Sequence, residues 1–319
     1  MTDRLDIHSL ALGAETRIRP HVPETPLRRS DFLSDEHHAD VYLKLENLQL
    51  TGSFKVRGAF TKLLSLGQRE RSRGVVVAST GNHGLAMAYA MKRLGVAGIV
   101  FVPEGAAATK VDNIRRYGAE VRFHGPEGGA TERHARSYAA EHGMVYVSPY
   151  NDVDVVAGQA TVGVEIARQL DGVDVVIASL GGGGLIGGIA GFLKAASKRA
   201  RVVAVSPRNS KAMMESVKAG RVIDTEHRPT LSDATAGGID HDTITFDLCR
   251  LYVDDFVDVD EAAIRAGMRD VIEREHLLVE GSAAVAVAGL AELDGLAGKK
   301  IAVVLCGANI DASKLKEAL

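Results

Sequence analysis

The chain has 319 residues, of which 46% are hydrophobic and 25% are charged, and its formal net charge is −3 at pH 7. This composition is typical of an ordinary globular protein of about two domains, and it excludes the disordered and fibrous classes. Because acidic and basic side chains are interspersed, no basic stripe is available to neutralise a phosphate backbone, so nucleic acid is not expected as a partner.

The first residues, MTDRLDIHSL, lack a basic segment followed by an apolar one, so we expect no secretory signal. Cys249 and Cys306 lie far apart without a CxxC pattern, which predicts neither a disulfide framework nor a zinc site. The most membrane-like stretch, residues 180–193, is glycine-rich and falls short of the roughly 20 residues that a span needs. The sequence therefore predicts a cytoplasmic protein with no membrane partner.

From residue 73 to residue 149, apolar stretches alternate with helical patterns. The predicted strands are 74–79, 98–103, 119–124 and 144–149, and the predicted helices are 82–95, 109–118 and 131–143. Gly95, Gly118 and Gly143 each follow a helical pattern, where a left-handed cap is expected. This alternation predicts a parallel sheet.

A second alternating series begins after residue 155. It has a helical pattern at 158–170, strands at 173–180, 201–207 and 299–306, and helices that begin at Asp260 and near Ala283. Together the two series predict an α/β protein of two doubly wound domains with mostly parallel sheets. Because a strand pattern at 41–46 precedes the first series, we expect the smaller domain, residues 51–151, to be inserted into a larger one formed by residues 1–50 and 152–319.

Four consecutive glycines, residues 181–184, follow an apolar strand and open a helix. Backbone amides and the helix dipole can converge on an anion at such a junction, so the loop predicts a phosphate site. Gly182, Gly184 and Gly187 also fit the pattern GxGxxG, which leaves an NADP-dependent oxidoreductase as an alternative. Against that alternative, the next strand ends at Ser206 and not at an acidic residue that would hold a ribose.

The segment STGNHG, residues 79–84, lies at another strand-to-helix junction. Its hydroxyl, amide and backbone donors at a helix N-terminus suit a carboxylate ligand. An ordinary helix cap formed by Ser79 or Thr80 is the alternative.

The segment KLENLQLTGSFKVRGA, residues 44–59, places Lys55 after a turn of small residues and at the start of a helix. A lysine in such a place can be desolvated, which lowers its pKa and makes its amine available for a Schiff base. A solvated surface lysine is the alternative interpretation.

The segment at 44–59 resembles the lysine signature of threonine and serine dehydratases, members of the tryptophan-synthase-β-like (fold type II) pyridoxal-phosphate family. STGNHG, GGGGL and LCGAN (residues 305–309) resemble the other cofactor and substrate loops of that family, in the same order. STGNHG and TAGGI (residues 235–239) are also similar to the hydroxyectoine-utilisation dehydratase subgroup. The resemblance covers nearly the full chain and implies pyridoxal phosphate as the cofactor.

The resemblance also implies the residues that hold the cofactor. Lys55 would form the Schiff base, Phe54 would pack beside the ring, and Asn82 would hydrogen-bond its 3-oxygen. Cys306 would face the pyridine nitrogen, and a neutral partner there favours loss of a β-substituent over transamination. The amides that would bind the phosphate are those of Gly181, Gly182, Gly183, Gly184 and Leu185. A glutamate also lies near the cofactor in relatives, at the position of Glu280.

For the substrate, the resemblance implies an ammonia-lyase that removes water from a small 3-hydroxy amino acid, such as L-threonine or L-serine, to give a 2-oxo acid and ammonia. Lys55 would remove the Cα proton. The residues that would surround the substrate carboxylate are Ser79, Thr80, Gly81, Asn82 and His83. Tyr150 falls in a stretch that helps to line the pocket in relatives.

Besides the NADP-dependent oxidoreductase, three alternatives to this activity remain open. One is a hydroxyectoine-utilisation, 3-hydroxyaspartate or phenylserine dehydratase. Another is a serine-type racemase, in which Thr80 would be the second catalytic base. A third is a binding protein without catalysis, which the intact lysine segment disfavours.

Assembly and metal binding are further expectations from the resemblance. Relatives are commonly homodimers or homotetramers, and we expect the same here. In serine racemase a Glu and an Asp bind a divalent cation where this chain has Ser206 and Ala212. Because these two carboxylate ligands are missing, we expect no metal at this place.

Overall fold

The computed structural model of the protein describes residues 5–196 and 199–319. Its strands are β1 (Leu27–Arg29), β2 (Asp40–Lys44), β3 (Val75–Ala78), β4 (Gly98–Val102), β5 (Glu120–Phe123), β6 (Val145–Tyr146), β7 (Val175–Ser179), β8 (Arg201–Pro207), β9 (Asp255–Val259) and β10 (Lys300–Val304). Its helices are α1 (Ile7–Ile18), α2 (Asp31–His37), α3 (Lys55–Ser65), α4 (Gln68–Arg73), α5 (Asn82–Leu94), α6 (Ala108–Arg115), α7 (Gly128–Glu141), α8 (Val153–Gln169), α9 (Gly184–Ala196), α10 (Ala212–Ala219), α11 (Ile244–Tyr252), α12 (Glu261–Glu275), α13 (Gly281–Ala288) and α14 (Ala312–Ala318).

The strands form two sheets. One has six strands in the order β1-β2-β10-β7-β8-β9, and the other has four in the order β5-β4-β3-β6. Among the strands described, only β1 and β2 pair in the antiparallel sense. The predicted α/β fold with mostly parallel sheets is therefore confirmed.

Most central strands are apolar along their whole length because helices cover both faces of a parallel sheet. In β7 and β3, for example, Val176, Ile177, Val76 and Val77 are all fully buried. Gly95, Gly118 and Gly143 have φ values of 65°, 82° and 64°, as the predicted ends of α5, α6 and α7 require. Strand β9 was not predicted, because its residues DFVDV combine edge exposure with two acidic side chains.

The topology brings distant loops to one edge of the larger sheet. Strands β7 and β10 are parallel neighbours, so the loops that follow them leave from the same edge. Ligands of α/β proteins bind at this carboxyl edge of the strands. Within the described ranges, no helix is both long enough and apolar enough to cross a membrane.

A cluster of buried ions fixes the first turn of α3. The guanidinium of Arg57 donates to both oxygens of Glu46 at 2.8 Å and to those of Glu165 at 2.7 and 2.8 Å. Lys44 Nζ donates to Glu165 Oε2 at 2.6 Å. All four side chains are fully buried. Two cations and two carboxylates thus tie β2, α3 and α8 together, and each charge has a partner.

We expect Arg57→Ala to lower the free energy of unfolding by about 3–5 kcal/mol, because it leaves two buried carboxylates without their main partner. Arg29→Ala is the control, since the Arg29 guanidinium is exposed and its ion pairs with Asp31 and Asp40 lie at the surface. Urea denaturation followed by circular dichroism measures both. A loss of stability no larger than that of the control would contradict the role of the cluster.

Candidate active site

The segment before Lys55 is held against the loop that follows β10. The amide of Phe54 donates to the carbonyl of Cys306 at 3.1 Å, and Ser53 and Gly307 form an isolated antiparallel bridge. This pairing carries Lys55 to the carboxyl edge of the six-stranded sheet, because β10 lies inside that sheet.

Lys55 is half-buried at the first position of α3. Its Nζ donates to the carbonyl of Pro149 at 2.9 Å and lies 5.1 Å from the centre of the Phe54 ring. Burial lowers the pKa of Lys55 to about 8, although the nearby Cys306 and Glu280 act in the opposite direction. The amine is thus far easier to deprotonate than that of a solvated lysine, so it can serve as a nucleophile or a base.

The glycine loop, residues 181–184, joins β7 to α9. Gly183 has a φ of 83°, and within the described part of the chain no acceptor takes the amide hydrogens of Gly181, Gly182 or Gly183. A Cβ on Gly182 would lie 2.5 Å from the ring of Tyr150. Only glycine permits this close approach, and free amides at a helix N-terminus suit a phosphate.

Asn82 opens helix α5 and is buried. Its Nδ2 donates to the carboxylate of Glu280 at 2.8 and 3.0 Å, and its Oδ1 accepts from Asn309 at 2.6 Å. Burial raises the pKa of Glu280 to about 7. The three side chains thus connect the loops after β3 and β10 with the start of α13.

The rest of the 79–84 loop offers polar groups at the same helix N-terminus. Ser79 Oγ accepts from the amide of Gly81 at 3.2 Å, and the Thr80 side chain is half-buried. His83 Nε2 lies 3.0 Å from the carbonyl of Val147, so Nε2 carries the proton. Burial lowers the pKa of His83 to about 3, and the imidazole is therefore neutral.

Cys306 lies directly beyond β10 and is buried. Ser179 Oγ, at the end of β7, is 3.5 Å from its sulfur. Burial raises the pKa of the Cys306 thiol, so the sulfur is protonated and neutral at ordinary pH. The site thus has a neutral thiol next to its lysine.

The structure places further groups at the site that the sequence did not predict. Thr235 closes over the glycine loop, since a Cβ on Gly181 would lie 2.9 Å from its Cα. Carbonyl groups of the 147–149 segment accept hydrogen bonds from Lys55 and His83. These contacts could not be predicted, because every residue has a backbone carbonyl and no sequence pattern marks one that binds a side chain. Asn309 lies in the LCGAN segment, which resembles a loop of the family, so its polar side chain could have been found there.

Nowhere in residues 5–196 and 199–319 do three or more His, Cys, Asp or Glu side chains group as metal ligands.

Known proteins resemble this chain over nearly its whole length. A family model described as pyridoxal-phosphate dependent enzyme matches residues 18–307. The L-threonine ammonia-lyase of Thermotoga maritima is 37% identical over 302 residues, which are 95% of this chain and 75% of that relative. The processed form of threonine deaminase isoform 2 from Solanum lycopersicum has a TM-score of 0.93 at 30% identity, covering 99% of this chain and 93% of that chain. Maize serine racemase has a TM-score of 0.91 at 30% identity, covering 98% and 96%.

The residues at this site fit pyridoxal phosphate. Its phosphate needs converging donors, which the glycine loop offers at the start of α9. Its aldehyde needs an amine that loses its proton easily, which Lys55 has. Its pyridine nitrogen would stay unprotonated beside a neutral group, and the Cys306 thiol is neutral. All three groups lie at one edge of the six-stranded sheet.

We expect Gly183→Ala to weaken the binding of pyridoxal phosphate about tenfold or more, because the loop must move out of its binding geometry. The new Cβ would meet Cys249 Sγ at 2.9 Å and Thr245 Cβ at 3.1 Å. Gly172→Ala is a matched control, since Gly172 also has a positive φ, 68°, but nothing lies within 4 Å of its added Cβ. Equilibrium dialysis measures both affinities, and an equal loss in the two variants would contradict the role of the loop.

Proposed function

This chain belongs to the pyridoxal-phosphate dependent enzyme family, and on that premise we propose that it removes water from a small 3-hydroxy amino acid, such as L-threonine or L-serine, to give a 2-oxo acid and ammonia. The observation that carries the proposal is the position of Lys55: its amine is held by the carbonyl of Pro149, and the amide of the preceding Phe54 donates to the carbonyl of Cys306 at the carboxyl edge of the sheet. The relatives named as threonine ammonia-lyase and threonine deaminase support the choice of reaction.

In this proposal each part of the site binds one part of the cofactor. The residues that bind the phosphate through their amides are Gly181, Gly182, Gly183, Gly184 and Leu185. Lys55 would bind the aldehyde carbon, Phe54 and Cys306 would border the ring, and Asn82 would border the phenolic oxygen. When bound, pyridoxal phosphate withdraws electrons from the substrate α-carbon and makes its proton acidic.

The loop at the start of α5 binds the substrate carboxylate. Its members are Ser79, Thr80, Gly81, Asn82 and His83. The amides of the first helical turn and the helix dipole favour an anion there. Because His83 is neutral, it brings no positive charge to the carboxylate. Hydrogen bonds from backbone amides and hydroxyl groups stabilise the carboxylate instead.

The substrate amine would take the place of Lys55 on the aldehyde carbon, and the freed Lys55 amine would then act as the base in the elimination. With a pKa near 8, its amine is matched to removing the Cα proton at ordinary cellular pH. The electron pair of the broken C–H bond forms the Cα–Cβ double bond, and the hydroxyl takes up the proton that the Lys55 amine removed and leaves as water. The released 2-aminoalkenoate takes up a proton at its β-carbon, and its imine form adds water to give the 2-oxo acid and ammonia.

A serine-type racemase is the second candidate. The half-buried Thr80 makes no side-chain hydrogen bond within the described residues, so its hydroxyl is available as a second base. Maize serine racemase supports this candidate by structural similarity. The Thr80 side chain has a methyl group that a serine would lack, and this methyl group would crowd the substrate Cα. We therefore rank racemisation below elimination.

The domain division is also part of the proposal. Residues 1–50 and 152–319 form the large cofactor-binding domain, and residues 51–151 form the small substrate-binding domain. Strands β3 to β6 all come from the latter range and make the four-stranded sheet, which supports the division.

We propose that the protein is a cytoplasmic homodimer or homotetramer. Leu48, Leu50 and Leu278 are 57%, 43% and 49% exposed, and a hydrogen bond from Asn47 to the carbonyl of Leu278 brings their segments together. An exposed apolar surface of this kind is typical of an interface between subunits. Both cysteines are free and buried, which is usual in a reducing compartment.

With L-threonine, we expect the cofactor-loaded protein to release a 2-oxo acid and ammonia in equal amounts. Lys55→Ala should lower turnover by about 10³-fold, because it removes the catalytic base. Lys218→Ala, which changes an exposed lysine, should leave turnover unchanged. Coupled assays and chiral chromatography measure the products, and a D-amino acid in place of the 2-oxo acid would contradict the dehydratase and support the racemase.

The rate at which the cofactor-free protein captures pyridoxal phosphate should depend on pH. The Lys55 amine must be neutral to attack, so the rate should rise about tenfold per pH unit up to about pH 8 and level off above it. Stopped-flow absorbance measures this rate, and Lys55→Ala should show no covalent capture. A rate that is independent of pH on both sides of 8 would contradict the assigned pKa.

A further inference from the structure

Glu280 is a buried carboxylate to which the proposed reaction gives no part. It precedes the first residue of α13 and is 2% exposed. Its two oxygens accept from Asn82 Nδ2 at 2.8 and 3.0 Å, and Oε2 also accepts from the amide of Asn309 at 3.1 Å. These contacts connect it to a residue of the cofactor site and not to solvent.

When Glu280 is ionised, as it is above its pKa of about 7, the network permits only one orientation of the Asn82 side-chain amide. Its Nδ2 faces the carboxylate of Glu280, and its Oδ1 accepts from Asn309 Nδ2 at 2.6 Å. In the reversed orientation, Oδ1 would face carboxylate oxygens and two NH₂ groups would face each other. Asn309 is itself fixed, because its Nδ2 also donates to the carbonyl of Thr51 at 2.8 Å.

One N–H bond of Asn82 remains available to the site. The two oxygens of Glu280 belong to one carboxylate and lie 2.8 and 3.0 Å from Nδ2, so a single N–H bond that points between them can serve both. The second N–H bond of the planar amide points away from the carboxylate. A Cβ on Gly307 would lie 2.9 Å from Glu280 Oε1, and Gly307 pairs with Ser53, two residues before Lys55, so the network lies beside the lysine segment.

We propose that Glu280 is a positioning residue that turns the N–H donor of Asn82, and not its carbonyl oxygen, toward the phenolic oxygen of the bound cofactor. This inference rests on the proposed function, in which Asn82 borders that oxygen. A donor stabilises negative charge on the oxygen, whereas a carbonyl would repel it. Glu280 therefore acts on the cofactor through Asn82, without touching it.

A double-mutant cycle tests this coupling, because it separates action through Asn82 from direct action. In Glu280→Gln, an NH₂ group replaces one of the two oxygens that accept from Asn82 Nδ2 and the amide of Asn309. Two donors then face each other, and the Asn82 side-chain amide is no longer held in one orientation. We expect the visible absorption band of bound pyridoxal phosphate to shift and its dissociation constant to rise about tenfold, as for one lost hydrogen bond to a charged group. Asn82→Ala should give a similar change, and the double variant should give no further change.

Two additional variants complete the design. Glu275→Gln is the matched control, since Glu275 is also a buried carboxylate but bonds to Arg28 and Ser30. It should leave the band and the affinity unchanged. Asn309→Ala removes the donor that holds Asn82 Oδ1 and should shift the band in the same direction as Glu280→Gln, by less. It serves as the test if circular dichroism finds that Glu280→Gln does not fold.

The outcomes separate the inference from the proposal on which it rests. If Glu280→Gln shifts the band equally with and without the Asn82 side chain, Glu280 acts directly and the positioning role is wrong. If Asn82→Ala changes the band and the affinity but Glu280→Gln changes neither, only the inference fails. If Asn82→Ala itself changes nothing, the assignment of Asn82 in the proposed function fails, and the inference fails with it.

Discussion

The pairing of Arg57 with Glu46 and Glu165 inside the protein is the interaction on which the site depends. It fixes the first turn of α3 against β2 and α8, and Lys55 is two residues away. Burying these charges carries a large desolvation penalty, which is offset only because every charge in the cluster has close partners. This rigid cluster holds the start of α3 in place, so the Lys55 amine stays in a poorly hydrated position and does not move out to solvent.

A pKa shift toward the neutral form is the common property of the titratable side chains in the site that this cluster supports. Burial lowers the pKa of Lys55 and of His83, and it raises the pKa of Cys306 and of Glu280. All four shifts favour the neutral form, as desolvation requires. In the proposed function, the anionic groups of cofactor and substrate are therefore assigned to backbone amides at two helix N-termini, in the glycine loop and in the 79–84 loop.

Much of the fold could be predicted from the sequence because its signals are local. Alternating apolar strands and helical patterns, and glycines that end helices, gave the order of the elements in both series. Strand β9 was not predicted since its acidic residues break the apolar pattern, and the predicted strand at 144–149 contains only Val145–Tyr146. For the site, the sequence singled out Lys55 and the glycine loop, and the structure places both at the carboxyl edge of the six-stranded sheet. The sequence could not predict how Glu280, Asn82 and Asn309 meet, because about 200 residues separate the first two and no local pattern records such a contact.

The central claim is that Lys55 carries the cofactor, and one measurement tests it most directly. The purified protein is incubated with pyridoxal phosphate, reduced with borohydride, digested, and its peptides are mapped by mass spectrometry. We expect a yellow protein before reduction and a single reduced pyridoxyl adduct on Lys55. A colourless protein that pyridoxal phosphate cannot reconstitute, or an adduct confined to other lysines, would contradict it.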